Sequence, residues 1–195
     1  YRGDLGVTAD GSDISGWADQ SGNGRHLLQP DASKAPSLAT PAAFASQTVI
    51  DFDANDWMSC ASYAVAMPQT TYVVAARRTT AYGHCYDSGE ASYRSTLIYS
   101  NGSNQVVLYA GSVASGVVLW DTPHVVCGAV QAGFSASAVY VDAITTPAGL
   151  GTMSPATGDV LRVGTDHTEA ASYWDGWVAE IIAYSGVIHT AAERG

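Results

Sequence analysis

The apolar residues of this chain fall in short β-branched and aromatic runs separated by clusters of Gly, Ser, Asn, Asp and Pro, and helical periodicity is nearly absent. Such runs can bury one face as strands but are too short and wrongly spaced to form the apolar stripe of a helix. The spacing predicts strands over 47–53, 56–60, 70–78, 93–100, 104–110, 113–120, 123–133, 136–142, 159–164 and 176–184. Many short strands with turn signals between them define an all-β fold, a two-sheet antiparallel β-sandwich. Asn101-Gly102-Ser103 marks a hairpin turn between two of the runs. The stretch 5–44 and the polar segment 79–92 read as long loops, and 189–195 as the start of a helix. With 195 residues and no repeat or linker-like tract, one domain is expected. The chain opens at Tyr1 without a Met, so the expectation is a fragment of a longer chain.

Composition narrows the partners. Net charge is −10, from 18 acidic residues against 8 basic ones. Nucleic-acid binding needs clustered Lys and Arg to neutralise phosphate, so no nucleic-acid partner is expected. Anionic membrane surfaces are disfavoured on the same ground. No apolar run reaches the roughly 18 residues that cross a bilayer as a helix, so membrane insertion is not expected either. The acidic balance and a single lysine, Lys34, fit an extracellular or virion-surface setting. Cys60, Cys85 and Cys127 are an odd set without zinc-site spacing. Buried free thiols are one reading and a single disulfide is another.

Three segments, in order, resemble the concanavalin A-like lectin/glucanase superfamily, specifically its laminin-G-like jelly-roll branch. They are SGWADQSGNGRHLLQP at 15–30, VIDFDANDWMSC at 49–60, and a closing series at 124–143, 161–165 and 174–193. Ala54 and Ala143 stand where the family pattern more often has glycine. The resemblance implies a jelly-roll sandwich and, because relatives include glycan-binding modules and phage structural domains, leaves function open. Two partner classes are expected from it: a glycan or cell-surface polymer bound by a non-catalytic recognition module, or neighbouring virion subunits packed against a structural domain. Calcium is the cofactor that the resemblance allows.

The residues themselves nominate sites. Exposed aromatic rings shed water against the C–H faces of sugars while polar neighbours take the hydroxyls. The ligand-binding candidates are Tyr82, Tyr86 and Tyr93 in and beside the 79–92 segment, and Tyr173 and Trp174 near Asp166 and His167. Packing within the loop is the competing reading for the tyrosines. Trp17, Trp57 and Trp177 fall in framework motifs and are assigned to the core, while Trp120 could serve either role. Asp19 and Asn23 in one loop, and Asp53 and Asp56 in another, are candidate oxygen ligands for calcium. Turn-forming hydrogen bonds are the competing reading for these four. Glycoside hydrolysis needs two facing carboxylates. None of Glu90, Glu169, Glu180 and Glu193 lies in the Glu-x-Asp-x-x-Glu strand pattern of the superfamily's glucanases, so no enzymatic activity is expected. His84, Cys85 and Asp87 suggest nucleophile or metal chemistry only if further partners support them, and none is evident from sequence.

Overall fold

The computed structural model describes residues 1–90, 93–103, 105–110, 113–119, 122–132, 135–142, 145–153 and 160–195. In chain order the first strands are β1 (Val7–Asp10), β2 (Asp13–Trp17), β3 (Leu27–Leu28), β4 (Ser37–Ala39), β5 (Val49–Phe52) and β6 (Met58–Cys60). The middle of the chain forms β7 (Gln69–Arg77), β8 (Gly83–Glu90), β9 (Tyr93–Ser100), β10 (Gln105–Tyr109) and β11 (Val113–Leu119). Then come β12 (His124–Val130), β13 (Ser135–Val141), β14 (Gly149–Met153), β15 (Leu161–Val163), β16 (Gly176–Ser185) and a single-turn helix, α1 (Ala191–Arg194).

Every strand pairing is antiparallel, and the strands form a two-sheet sandwich. One sheet runs β11-β10-β9-β8-β15-β6-β3-β2, with β1 beside β2; the other runs β4-β5-β16-β7-β12-β13-β14. The Asp13–Ser37 bridge between β2 and β4 links them at one edge. At the opposite edge β11 lies close to β13 and β14. Between the sheets lie the largest buried side chains, among them Trp17, Phe52, Ile98, Leu108 and Trp174. The sheets approach closely at Gly128 of β12, where a Cβ would stand 2.8 Å from a Leu108 methyl carbon of β10. β7 sits between β16 and β12 and is covered on both faces, which is why its sequence is almost continuously apolar after the threonines.

Two segments read as loops are strands. The 5–44 stretch holds β1 to β4, short pieces that bury Ile14, Trp17 and Leu27 while Leu28 and Leu38 stay exposed. The 79–92 segment is mostly β8, paired with β9 on one side and β15 on the other. Its polarity misled because His84 and Asp87, on its outer side, are polar yet as buried as Cys85, Tyr86 and Ser88. β14 was not anticipated, since its Gly-rich sequence carries no strand signal. Trp17 is fully buried as assigned, whereas Trp57 and Trp177 are only half-buried and Trp120 lies outside the described residues. The Asn101 turn forms as read: its side-chain oxygen accepts the amides of Ser103 and Gln105 at 2.9 and 3.0 Å. The terminal helix starts at a capping box between Thr190 and Glu193. All three cysteines are free and buried.

At Gly164, just after β15, the backbone demands glycine. Its φ is +93°, and a Cβ there would lie 2.6 Å from the Phe52 ring and 2.7 Å from the Asp56 carbonyl oxygen. Gly164→Ala is therefore expected to cost at least about 2 kcal/mol, read as a Tm roughly 4–8 °C lower in a thermal melt.

Candidate functional site

The outward face of the first sheet carries a continuous polar cluster. On a strand, side chains alternate between faces, so His84 and Asp87, three apart, should point opposite ways. They do not, because the β8–β9 register slips between His84 and Tyr86 and leaves Cys85 as the extra residue of a bulge. Cys85 and Tyr86 both enter the core, and His84 and Asp87 share the outer face. Directly across from His84 is Tyr99 on β9, and directly across from Asp87 is Arg162 on β15.

Tyr82, immediately before β8, leans onto this row. Its ring centroid lies 5.1 Å from that of Tyr99 and 5.3 Å from that of His84, and the His84 and Tyr99 rings are 5.5 Å apart. The Tyr82 hydroxyl is 3.1 Å from His84 Nε2, and His84 Nδ1 is 3.4 Å from Asp87 Oδ2. With Nδ1–H donating to Asp87, Nε2 accepts from the tyrosine hydroxyl, so the imidazole fixes the phenol's orientation. His84 and Asp87 are almost completely buried, whereas Tyr82 is 46% exposed. The result is an aromatic ledge with an immobilised edge.

The segment 164–175 frames the ledge. The His84 amide donates to the Ser172 carbonyl at 2.8 Å, and Thr165 Oγ1 donates to the Ala171 carbonyl. Asp166 Oδ1 accepts from the amide and hydroxyl of Thr168. Burial alone would raise the Asp166 carboxyl, but these hydrogen bonds hold it below the usual carboxylate range. Glu169 takes the Arg162 Nε–H at 2.9 Å, and Tyr173 donates its hydroxyl to the Glu169 carbonyl. Lys34 lies 5.8 Å from the centre of the Tyr173 ring.

Beneath the frame, the Arg77 guanidinium stacks 4.8 Å from the Trp174 ring and donates to the Ala81 carbonyl and Thr79 hydroxyl. That contact holds the turn from which Tyr82 projects. Gly83 leaves room for it: a Cβ there would sit 2.5 Å from the Tyr173 carbonyl oxygen and 3.0 Å from the guanidinium.

Among the expected ligand-binding residues, Tyr82 forms the ledge, and Tyr173 and His167 belong to the 164–175 segment with Asp166. Tyr86 and Trp174 do not reach the surface; both are fully buried. Tyr86 lies mid-strand, with its hydroxyl 2.8 Å from that of Tyr63 and 3.1 Å from Gln69 Nε2, so it closes a core polar network. Trp174 underlies Arg77. Tyr93 opens β9, and its side chain lies outside the described residues. Sequence reading passed over Tyr99, Arg162 and Arg77. It also found no support for His84 and Asp87, because the partners come from β9, β15 and the 164–175 segment, distant in the chain. The signal available was the polar stretch 83–90 itself. Burial pushes the Cys85 thiol up, so it remains a protonated core side chain.

The four expected metal ligands fall into two separate cavities. Asp19 and Asn23 line one of about 290 Å³. Both Asp19 oxygens accept loop amides, from Ser21 at 2.7 Å and Arg25 at 3.0 Å, and the Asn23 side-chain amide donates to Ser21. Asp53 and Asp56 line the other, of about 410 Å³, with Asp51, Asp175 and Arg78. Here Asp53 Oδ1 accepts the Ala54 amide and Asp56 Oδ2 the Asp53 amide. Arg78 pairs with Asp51, with Asp175 at 2.8 Å and with the Phe52 carbonyl. These oxygens act as turn caps and counter-ions to an arginine, a donor arrangement that does not fit a hard divalent cation. Among the described residues, no three His, Cys, Asp or Glu side chains gather to hold a metal.

No protein-family model matches the chain, and no curated protein matches it in sequence. Its fold does have counterparts among solved structures. A GH54 α-L-arabinofuranosidase soaked with 4-nitrophenyl α-L-arabinofuranoside superposes with a TM-score of 0.65 at 15% identity, over 91% of this chain and 48% of that one. Domain 4 of AbnA, a GH43 extracellular arabinanase from Geobacillus stearothermophilus, in complex with arabinotriose, gives 0.58 at 10% identity, over 82% of this chain and 79% of that one. The native heptameric SAP-like pentraxin from Limulus polyphemus gives 0.53 at 12% identity, over 71% and 73%. At such low identity the likeness defines the architecture, an antiparallel β-sandwich of jelly-roll type.

The second cavity makes a pH prediction. Burial, followed by repulsion from Asp53 and Asp51, raises the Asp56 pKa to about 6. The folded chain therefore binds this proton more tightly than the unfolded one, and stability falls as pH rises from about 4 to about 6. Asp56→Asn keeps an oxygen for the Asp53 amide and removes that loss. It should raise stability at pH 7 by on the order of 1 kcal/mol and converge with the parent near pH 4, checked by denaturant melts across that range.

Proposed function

We propose that this chain is a non-catalytic recognition module that holds a glycan on the outward face of its first sheet, with Tyr82 as the stacking platform. The observation that carries this reading is the Tyr82 ring, half exposed, packed on Tyr99 and locked through its hydroxyl to a buried His84–Asp87 pair. A ring already ordered in the free protein loses little rotamer freedom when a sugar covers it, which favours binding. The 164–175 segment, whose Ser172 carbonyl takes the His84 amide, brings polar side chains such as Glu169, Tyr173 and His167 to the same region. Each carboxylate of the face is engaged internally: Asp87 with His84, Asp166 with Thr168 and Glu169 with Arg162. That favours holding a sugar over cleaving one.

The arabinotriose bound to Domain 4 of AbnA supports the same reading by fold analogy. An extracellular setting accords with it, and no helix among the described residues is long and apolar enough to cross a membrane. A second reading, a packing domain within a larger bacterial or virion assembly, is favoured by Val125, Ile182 and Tyr184, exposed apolar residues on the outer side of the second sheet.

Tyr82→Ala should weaken retention on immobilised polysaccharide at least tenfold, about 1.4 kcal/mol, while the protein stays folded with Tm lowered by roughly 2–4 °C for the lost hydrogen bond to His84. The check is affinity electrophoresis of both proteins in gels containing arabinan, galactan, mannan or β-glucan. Equal retardation of the two in every gel that slows the parent removes Tyr82 from the site.

A further inference from the structure

The cavity between the 19–25 loop and β16 shares no residue with the Tyr82 ledge. It measures about 290 Å³, and the charged side chains of its lining are two of each sign: Arg2 and Arg25, Asp19 and Glu180. Two of the four are already engaged. Arg2 pairs with Asp4 at 2.7 Å, and Asp19 accepts the loop amides of Ser21 and Arg25. Among the described residues, Arg25 and Glu180 enter no salt bridge, with each other or with any other side chain, although both line the same space.

Arg25 is nonetheless held in place. Its amide donates to Asp19 Oδ2 at 3.0 Å, and its carbonyl accepts the Tyr1 hydroxyl. Its guanidinium lies 5.6 Å from the centre of the Tyr63 ring. Tyr63 is buried and fixed in turn, with its hydroxyl 2.8 Å from that of Tyr86. A planar fork of N–H donors is thus pinned at the main chain and stacked on an immobile ring, with no acceptor among the described residues. Glu180 supplies an acceptor on the β16 side of the cavity. On the loop side, Asn23 and Gln20 spend their amide N–H groups on Ser21 and the Ala18 carbonyl, which leaves their side-chain oxygens to the cavity.

We propose that this cavity is a second binding site, one that takes a single neutral sugar residue. A hydroxyl both donates and accepts, so neighbouring hydroxyls of one ring satisfy the Arg25 fork and the Glu180 carboxylate together. Further hydroxyls donate to the Asn23 and Gln20 oxygens. An anion would satisfy Arg25 and be repelled by Glu180, and a cation would do the reverse. A free amino acid would bridge the two charges but leave the amide oxygens unmet. The volume lies at the bottom of the small-molecule range, which suits one ring rather than a chain passing through. The inference does not depend on the ledge, which meets a glycan from the side.

The test is an NMR titration of the isotope-labelled chain with D-galactose, D-glucose, D-mannose and L-arabinose, with alanine as the zwitterionic control. The resonances followed are the amides of 19–25 and 180–183 and the Arg25 Nε–H. For a ligand of about a dozen heavy atoms, the dissociation constant is expected on the order of millimolar. At least one sugar should shift these resonances saturably, and alanine at equal concentration should not. Arg25→Met keeps the stem over Tyr63 without its donors, and Glu180→Gln removes the charge. Each should weaken that sugar by roughly fivefold or more, with the rest of its spectrum matching the parent. Saturable shifts from no sugar, equal shifts from alanine, or an unchanged affinity in either variant overturns the proposal. Shifts confined to Tyr82 and its neighbours overturn it as well, while leaving the ledge reading in place.

Discussion

A single buried cation organises the corner on which the polar face depends. Arg77 ends β7 in the second sheet, and the chain then crosses to β8 in the first. At that crossing its guanidinium covers the Trp174 ring and donates to the Ala81 carbonyl. Burying a guanidinium is costly, and burial does lower the Arg77 pKa. The cost is offset by the ring's negative face and by carbonyl and hydroxyl acceptors. The corner thereby joins three pieces of chain: the end of β7, the 79–82 turn and the 171–175 segment ahead of β16. Tyr82 stands on that junction.

Local geometry then converts a structural joint into a surface with chemistry. A one-residue bulge at Cys85 turns His84 outward, and the period of the strand does the rest, placing Asp87 on the same side and Arg162 opposite it. Without that extra residue His84 would face the core, and Tyr82 would have no partner for its hydroxyl. Bulges beside functional surfaces commonly re-aim a side chain in this way. The polar row also explains why β8 is an unusual inner strand. It is buried on both sides, yet one side is filled by ionised groups that satisfy one another.

The aspartate-rich rim shows the same economy of internal pairing. Arg78 is inserted among Asp51, Asp53, Asp56 and Asp175, backed by the Trp177 ring at 5.1 Å. The positive charge that balances this cluster comes from the chain. The Asp19 loop is closed by its own amides. Two oxygen-rich motifs that look alike in sequence thus resolve into a counter-ion site and a capped turn, in separate cavities.

Much of the fold was legible in the residues. Alternating runs such as 47–53 and 176–184, the Asn101 turn and the Thr190–Glu193 cap are local signals, determined by side-chain period and short-range hydrogen bonds. The segments 5–44 and 83–90 were not legible as strands, because their pairing depends on distant partners that satisfy backbone groups regardless of local propensity. Sequence alone settled that the chain is a β-sandwich with aromatic residues at 82 and 173 available to its connecting segments. Only the tertiary structure decided that Tyr86 and Trp174 belong to the core, that Tyr82 meets Tyr99, and that Arg162 and Glu169 join them. The reason is physical: which face a side chain takes depends on register and bulges, and which partners it meets depends on how strands far apart in the chain lie side by side.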